Sequence, residues 1–233
     1  MDLIDLAPLT NGEGDFETFI DDLCQNLEFD YASYAAINPV TGLVQGYANY
    51  SPEWKLHYAK RGYHRIDPTL RLASKSIAPV DWARFERNDK FEAVFFSAHD
   101  FGITPRGLTV PVRGPYGDCG LLSVTRDCSQ NEWQSLIRQQ ASALQLAAVH
   151  MHDAIMQSDI LSRVLRRPQL SSREREILQW TAAGKSQSEI GDILTISHRT
   201  VEVHLRSARE KLGALTTAQT VGRAVGLGLV LPG

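Results

Sequence analysis

The chain has 233 residues, of which 43% are hydrophobic and 22% are charged, and this size suits one large or two small folded domains. It contains neither a run of about 18 apolar residues nor a charged-then-apolar leader, so we expect no membrane span, no export and a cytoplasmic location. Its three cysteines are odd in number and form no CxxC pair, which argues against a disulfide framework and against a zinc site.

The formal net charge of −3 is divided unevenly along the chain. Residues 1–162 carry 13 Lys and Arg against 21 Asp and Glu, a net of −8, whereas residues 163–233 carry 11 against 6, a net of +5. An acidic front and a basic back indicate two modules with different partners. The basic module has the local positive field that suits nucleic acid, although the whole chain is acidic.

The front module alternates short strands with helices. An amphipathic helix is predicted at 15–28, and further helices are predicted at 52–62, 68–75 and 89–100. Strand-like runs occupy 31–37, 42–50, 78–82, 107–113 and 120–126, and NPVTG at 38–42 is typical of a hairpin turn. The fold class is therefore α+β, with an α/β/α sandwich around an antiparallel five-stranded sheet. The layer between such a sheet and its helices is a natural place for a small-molecule cavity.

One stretch of the front module combines aromatic side chains with an acid. Tyr50, Trp54 and Tyr58 stand at i, i+4 and i+8, a spacing that is also common in an ordinary core, and Asp67 follows. An aspartate buried among such residues must be hydrogen-bonded, because a bare buried charge is very unfavourable. Asp67 also fits as the N-cap of the helix at 68–75, with Pro68 in its first turn. Both roles remain open at this point.

Residues 130–165 are predicted to form one long helix with a broad apolar stripe. Part of this stripe is interpreted as a dimer seam, with ordinary packing on the sheet as the alternative. The segment RVLRRPQL, 163–170, has the composition of a linker between domains. The stripe consists of Trp133, Leu136, Ile137, Leu144, Ala147, Ala148, Met151 and Ile155.

Capping signals divide the back module, 171–233, into short helices. Ser171 with Glu174, Ser186 with Glu189, and Thr216 with Gln219 each fit the S/T-x-x-E/Q capping box, and Gly184 and Gly213 suit helix ends. A helix at 187–194, a turn at 195–197 and a basic helix from 198 predict a helix-turn-helix, whose second helix enters the major groove. A small helical bundle without DNA contacts is the alternative.

The basic helix carries its charged side chains opposite an apolar stripe. Arg206 is placed to contact guanine, and Glu202 either accepts from a cytosine amino group or pairs with Arg206 at i+4. Arg209 and Lys211 are expected to contact phosphates. The full predicted DNA-binding set is His198, Arg199, Thr200, Glu202, Val203, Arg206, Arg209 and Lys211.

Both modules resemble the LuxR-type quorum-sensing regulators. The run at 170–205 is similar to the family's DNA-binding domain on Glu174, Leu178, Gly184, Glu189, Ile190, Ile196, Ser197, Thr200, Val201 and His204. The front module resembles the family's acyl-homoserine-lactone-binding domain on Tyr50, Trp54, Tyr58, Asp67, Pro68, Trp82, Gly107 and Ser123.

The resemblance implies a role for each residue of the ligand site. Trp54 would donate its indole N–H to the lactone carbonyl, Asp67 would accept from the ligand amide, and Tyr50 and Ser123 would donate to the acyl carbonyl. Trp82 and Tyr58 would be apolar walls, and Gly107 belongs to the same signature. The acyl tail would be lined by Thr69, Leu70 and Leu121.

We therefore expect a homodimeric transcription factor with an autoinducer-binding and dimerisation domain at 1–162, a linker at 163–170 and a DNA-binding domain at 171–233. Its partners would be an N-acyl-homoserine lactone and double-stranded promoter DNA, with no cofactor. An enzyme is not expected, because the chain has no GxSxG elbow and no histidine cluster spaced for a metal. A phosphorylated response regulator fits poorly, since Asp21 and Asp22 lie within a helix. A regulator that responds to a non-lactone molecule, or that acts without a ligand, remains the alternative.

Overall fold

The computed structural model describes residues 13–37, 44–114, 118–158 and 169–231. The chain divides into two compact units, an N-terminal one that contains all five strands and a C-terminal one that contains the last four helices of the described part. Each unit has its own hydrophobic core and is described by itself. Along the described ranges, no helix is both long enough and apolar enough to cross a membrane.

The N-terminal unit is built on an antiparallel five-stranded sheet, as predicted. Its strands are β1 (Tyr31–Ile37), β2 (Val44–Ala48), β3 (Val80–Asp81), β4 (Gly107–Arg113) and β5 (Cys119–Thr125). Their order across the sheet is β2-β1-β5-β4-β3. The predicted hairpin turn at 38–42 lies outside the described residues, but β1 and β2 pair antiparallel with Ile37 opposite Val44.

Helices cover both faces of this sheet, so the predicted sandwich is confirmed. Two helices, α1 (Glu13–Leu27) and α5 (Gln130–Gln157), contact one face and each other. The other face is covered by short helical segments and by the aromatic cluster described below. These segments are α2 (Pro52–Arg61), α3 (Pro68–Arg71), α4 (Asp89–His99) and 3-10 turns at Tyr63–Arg65, Ala73–Lys75 and Trp82–Arg84.

Local capping sets two boundaries that differ from the prediction. The predicted strand at 78–82 is only two residues long, because Asp81 accepts a hydrogen bond from the Ala83 amide and turns the chain into a 3-10 helix. The long helix ends at Gln157, and the Ser158 hydroxyl donates to the Ile155 carbonyl at its end. Residues 159–168, which include most of the predicted linker, lie outside the described part.

The apolar stripe of α5 is buried within its own chain. Trp133, Leu144, Met151 and Ile155 are all buried where α5 packs on the sheet and on α1. The interpretation of this stripe as a dimer seam is therefore wrong for these residues, and packing on the sheet accounts for them. The apolar side chains that α5 does expose belong to a different face and include Leu146 and Val149.

Four short helices make up the described part of the C-terminal unit. They are α6 (Ser172–Ala182), α7 (Gln187–Leu194), α8 (His198–Lys211) and α9 (Thr217–Gly226). Complete capping boxes begin α6 and α7, and Gly184 and Gly213 adopt the left-handed conformation, with φ of +84° and +60°. Helices α7 and α8 pack together across the turn at 195–197, which confirms the predicted helix-turn-helix.

Candidate ligand site and nucleic-acid interface

Asp67 is the polar centre of the N-terminal unit. Its side chain is only 7% exposed, yet three donors reach it. Oδ1 accepts from the Thr69 amide at 2.8 Å and from the Thr69 hydroxyl at 2.7 Å, and Oδ2 accepts from the Tyr58 hydroxyl at 2.8 Å. The bond to the Thr69 amide caps α3, with Pro68 in its first turn. Asp67 thus caps a helix and also belongs to a buried polar cluster.

The electrostatics of this cluster follow from its burial. Burial raises the pKa of Asp67, and the hydrogen bonds from Thr69 and Tyr58 act in the opposite direction. Burial also raises the pKa of Tyr58, and the nearby Asp67 raises it further. The pKa of Tyr50 is raised to about 12, chiefly by burial, while its hydrogen bond with Ser33 lowers it. Both tyrosines are therefore neutral hydroxyl groups at physiological pH.

Trp54 lies in the first turn of α2, within an aromatic cluster. Its side chain is 4% exposed and contacts four rings: His57, stacked at 5.9 Å, together with Tyr58, Tyr63 and Phe101. No hydrogen bond joins its indole N–H to another described residue, and an indole N–H can only donate.

A second polar cluster lies on the sheet. Trp82, predicted as an apolar wall, also donates its indole N–H to the Thr109 hydroxyl at 2.8 Å. The Thr109 hydroxyl in turn lies 2.9 Å from that of Ser123. Gly107 lies beneath the same tryptophan, and a Cβ added there would be 2.5 Å from its ring. The absence of a side chain at Gly107 therefore makes room for Trp82, and a direct ligand contact at Gly107 stays a prediction.

An apolar patch continues from these polar groups on the same side of the sheet. Leu70 and Leu121, two of the three residues predicted to line an acyl tail, pack with Ala35, Ala73 and Cys119. Thr69, the third, instead directs both its amide and its hydroxyl to Asp67. Its amide and hydroxyl are engaged with the aspartate, so only its methyl group remains to line an acyl tail, and this role stays a prediction.

The structure also identifies residues that the sequence did not suggest. Thr109 and Ser33 contribute hydroxyls to the site, and His57 lies against Trp54 with its Nε2 buried and without a partner in the described part of the chain. The available signal for Thr109 was its position two residues after Gly107, on the same face of a strand. Among the described residues, no group of three or more His, Cys, Asp or Glu side chains could hold a metal ion.

Helix α8 exposes most of the predicted DNA-binding residues. Its buried side carries Val201, Leu205 and Ala208, whereas His198, Arg199 and Val203 are exposed. Arg206 donates to Glu202 at 3.1 Å, which is the intrahelical pair predicted as the alternative to a contact of Glu202 with cytosine. The Thr200 hydroxyl lies 2.8 Å from that of Ser197 at the start of the helix. Arg209 is half-buried.

Lys211 does not have the free ammonium group expected of a phosphate contact. Its Nζ donates to both carboxylate oxygens of Glu174, at 2.9 and 2.8 Å, and Glu174 also accepts from the Ser207 hydroxyl at 2.7 Å. Glu174 is only 4% exposed, so its charge needs this partner. The phosphate contact of Lys211 stays a prediction, and it would have to be made while Nζ also holds the Glu174 carboxylate.

Comparison with known proteins places both units. A family model described as the autoinducer binding domain matches residues 13–155, and one described as bacterial regulatory proteins, luxR family, matches residues 168–224. The transcriptional activator protein RaiR of Rhizobium etli is 33% identical over 93% of this chain and 88% of its own. The regulatory protein SdiA of Escherichia coli is 31% identical over 88% and 86%. The solved structure of SdiA in complex with octanoyl-rac-glycerol has a TM-score of 0.77 at 28% identity, covering 96% of this chain and 93% of that one.

A small-molecule-binding domain followed by a helix-turn-helix domain defines a class of ligand-responsive transcriptional regulators, and the matched relatives are regulators rather than enzymes. Within that class, the chain belongs to the LuxR family of quorum-sensing transcriptional regulators.

Proposed function

We propose that this protein is a cytoplasmic regulator that binds an N-acyl-homoserine lactone in its N-terminal domain and binds promoter DNA as a homodimer. The domains are those expected from the sequence: 1–162 for ligand binding and dimerisation, 163–170 as linker and 171–233 for DNA. The observation that carries the ligand assignment is the juxtaposition of a buried acceptor, Asp67, with the indole donor of Trp54 in one aromatic cluster.

The proposed ligand has donors and acceptors that complement the polar groups of the site. The Asp67 carboxylate accepts from Thr69 and Tyr58, and the backbone amide of Leu70 also acts on it and lowers its pKa. An amide N–H from the ligand would be a further donor to this carboxylate and would favour its ionised form. The lactone carbonyl would accept from Trp54, and the acyl carbonyl from Tyr50 and Ser123.

The apolar patch supports an acylated ligand. Leu70, Ala73 and Leu121 lie beside the polar groups, so a molecule with a polar head and a hydrocarbon tail can satisfy both regions. Octanoyl-rac-glycerol, the compound in the SdiA complex, has the same general form but no amide N–H. A non-lactone acyl compound of this kind is therefore the second candidate.

The experiment compares N-octanoyl-L-homoserine lactone with 1-octanoylglycerol as stabilisers of the purified protein. Ligand binding raises the midpoint of thermal unfolding by mass action, and the shift yields an affinity. Trp54→Phe keeps the ring but removes the donor, so it is expected to weaken lactone binding about 5- to 150-fold. Asp67→Asn retains an acceptor and a cap and is expected to lose less than Asp67→Ala.

A control separates loss of a helix cap from loss of a ligand contact. Asn88 caps α4 through its side chain, so Asn88→Ala removes a comparable cap in the same unit. This variant is expected to be less stable but to bind the lactone as the wild type does. If folded Asp67→Ala still responds fully to the lactone, the ligand site is assigned to the wrong residues. Stabilisation by the glycerol ester alone would instead favour the second candidate.

The dimer and the DNA contacts rest on exposed surfaces. Leu146 and Val149 give α5 an exposed apolar face, with Val149 52% exposed, and this face is the proposed seam. Arg199 and Arg206 are exposed on α8 and are proposed to enter the major groove. A dimer of this kind would bind two half-sites about one helical turn apart.

A further inference from the structure

The face of the sheet that carries the proposed ligand site contains a row of hydroxyl groups. Ser33 on β1 lies opposite Ser123 on β5, and Ser123 lies opposite Thr109 on β4. Residues that are directly opposite project on the same face of a sheet. Two positions further along, the same face carries Ala35 opposite Leu121. The hydroxyl row is therefore a polar line at the edge of an apolar surface.

The hydrogen bonds along this row have a direction. An indole N–H can only donate, so the Thr109 oxygen accepts from Trp82. Thr109 is 0% exposed and has one proton of its own, which must find an acceptor. Within the described residues, the acceptor in reach is the Ser123 oxygen at 2.9 Å.

The opposite direction would leave a buried donor without a partner. If Ser123 donated to Thr109, the threonine oxygen would accept twice and its own proton would have no acceptor. The first direction also leaves one proton without an acceptor in the chain, that of Ser123. Ser123 is 5% exposed and belongs to the proposed ligand site, so a ligand acceptor can take its proton, whereas Thr109 is 0% exposed. The favoured chain therefore runs from Trp82 to Thr109 to Ser123, and it leaves the proton of Ser123 available for a group outside the chain.

We propose that Thr109 is a positioning residue which, held by Trp82, keeps Ser123 as a hydrogen-bond donor toward the ligand. The site then takes an acceptor oxygen at this position, such as an acyl carbonyl, and disfavours a hydroxyl or amine that must donate there. The proposal rests on the proposed function and specifies the chemistry of the same site.

Thr109→Val and Thr109→Ser test the role of the hydroxyl. Valine keeps the branched shape but cannot relay a proton, whereas serine retains the hydroxyl. With N-octanoyl-L-homoserine lactone, Thr109→Val is expected to bind about 5- to 20-fold more weakly, and Thr109→Ser to stay within about 3-fold of the wild type. In a Ser123→Ala background, Thr109→Val should add less than about 2-fold, because its effect passes through Ser123. An equal loss in both backgrounds would mean that Thr109 acts by packing alone.

A spectroscopic measurement reports on the proton directly. The acyl carbonyl of the probe is labelled with ¹³C, and its infrared stretch is measured in the complex. Loss of a donor moves this stretch to higher frequency, so Thr109→Val and Ser123→Ala should both shift upward, and Thr109→Ser should not. If Thr109→Val does not fold, Trp82→Phe provides the same test, since it frees the threonine oxygen to accept from Ser123.

The two proposals fail in different ways. If the lactone does not bind the wild type but labelled 1-octanoylglycerol does, the lactone assignment is wrong, and the relay is tested on the ester carbonyl. If an acyl probe binds and its carbonyl stretch is unchanged in Thr109→Val or Trp82→Phe, the relay is refuted while the ligand assignment stands. If neither probe shows a carbonyl shift between wild type and Ser123→Ala, the relay is also refuted.

Discussion

The ion pair between Glu174 and Lys211 makes the stability of the DNA-binding unit depend on pH. Burial acts to raise the pKa of Glu174, but hydrogen bonds from Lys211, Ser207 and the Ser171 amide outweigh it and lower the pKa from 4.5 to about 2. Between pH 4.5 and about 2, Glu174 binds a proton more readily in the unfolded chain than in the folded one. The contribution is therefore fully present above about pH 4.5 and is lost as the pH falls toward 2.

The size of the effect follows from the shift. A pKa that falls from 4.5 to about 2 corresponds to at most about 3 kcal/mol of unfolding free energy. Lys211 is 39% exposed, so water screens part of the attraction. We therefore expect about 1–2 kcal/mol for the pair. Glu174→Gln should be less stable than the wild type at pH 6 and should show a much weaker dependence on pH.

Hydrogen exchange resolves this effect within the intact protein. Protection of the amides of α8, corrected for the intrinsic exchange rate at each pH, is measured by mass spectrometry between pH 2.5 and 6. Glu189→Gln is the matched control, because Glu189 completes the same kind of capping box on α7 but is exposed. If α8 of Glu174→Gln loses protection with acid as steeply as the wild type, the ion pair is not the origin of the pH dependence. An equal change in Glu189→Gln would assign the effect to the caps.

Three further predictions concern the ligand wall, the DNA face and the dimer. Gly107→Ala places a Cβ 2.5 Å from the ring of Trp82, so it should destabilise the ligand-free protein by about 1–3 kcal/mol in urea unfolding; unchanged stability would show that the ring can move freely. Arg206→Ala should lose about 1–3 kcal/mol of binding free energy on a site selected from random DNA and should show a weaker base preference. Arg209→Ala should weaken binding to all sequences alike. If Arg206→Ala loses equally on matched and scrambled sites, Arg206 contacts only phosphate. Val149→Asp should convert the ligand-loaded dimer to monomer in sedimentation, while the control Leu56→Asp, at an exposed apolar position of α2, should not. A dimer that persists in Val149→Asp would show that the seam does not include this face of α5.

Local signals in the sequence were sufficient for the fold and for part of the site. The Asp67-Pro68 pair predicted a helix start, and the structure contains that cap. Ser171 with Glu174 and Ser186 with Glu189 predicted the starts of α6 and α7 for the same reason. In each case the partners lie within three residues, so sequence spacing alone sets the geometry.

The missed features depend on distant partners. Glu174 lies 37 residues before Lys211, so the basic side of α8 gave no sign that one of its cations is paired. Thr109 meets Ser123 through the register of β4 and β5, which spacing along the chain does not specify. The periodicity of α5 correctly indicated a buried face, but a repeat of apolar residues does not say whether the sheet or a second copy covers that face.

The pairing of Lys211 also affects how the protein responds to salt. Each cation that neutralises a DNA phosphate displaces a condensed counterion, and the logarithm of the binding constant falls with the logarithm of salt concentration by about 0.9 per phosphate. Lys211 is already neutralised by Glu174, and Arg206 faces Glu202, so these side chains displace fewer counterions than free cations would. For a protein that grips DNA through α8, affinity then declines less steeply with ionic strength than the number of basic residues suggests. A count of the basic residues on α8 therefore overstates the salt dependence expected of its DNA contacts.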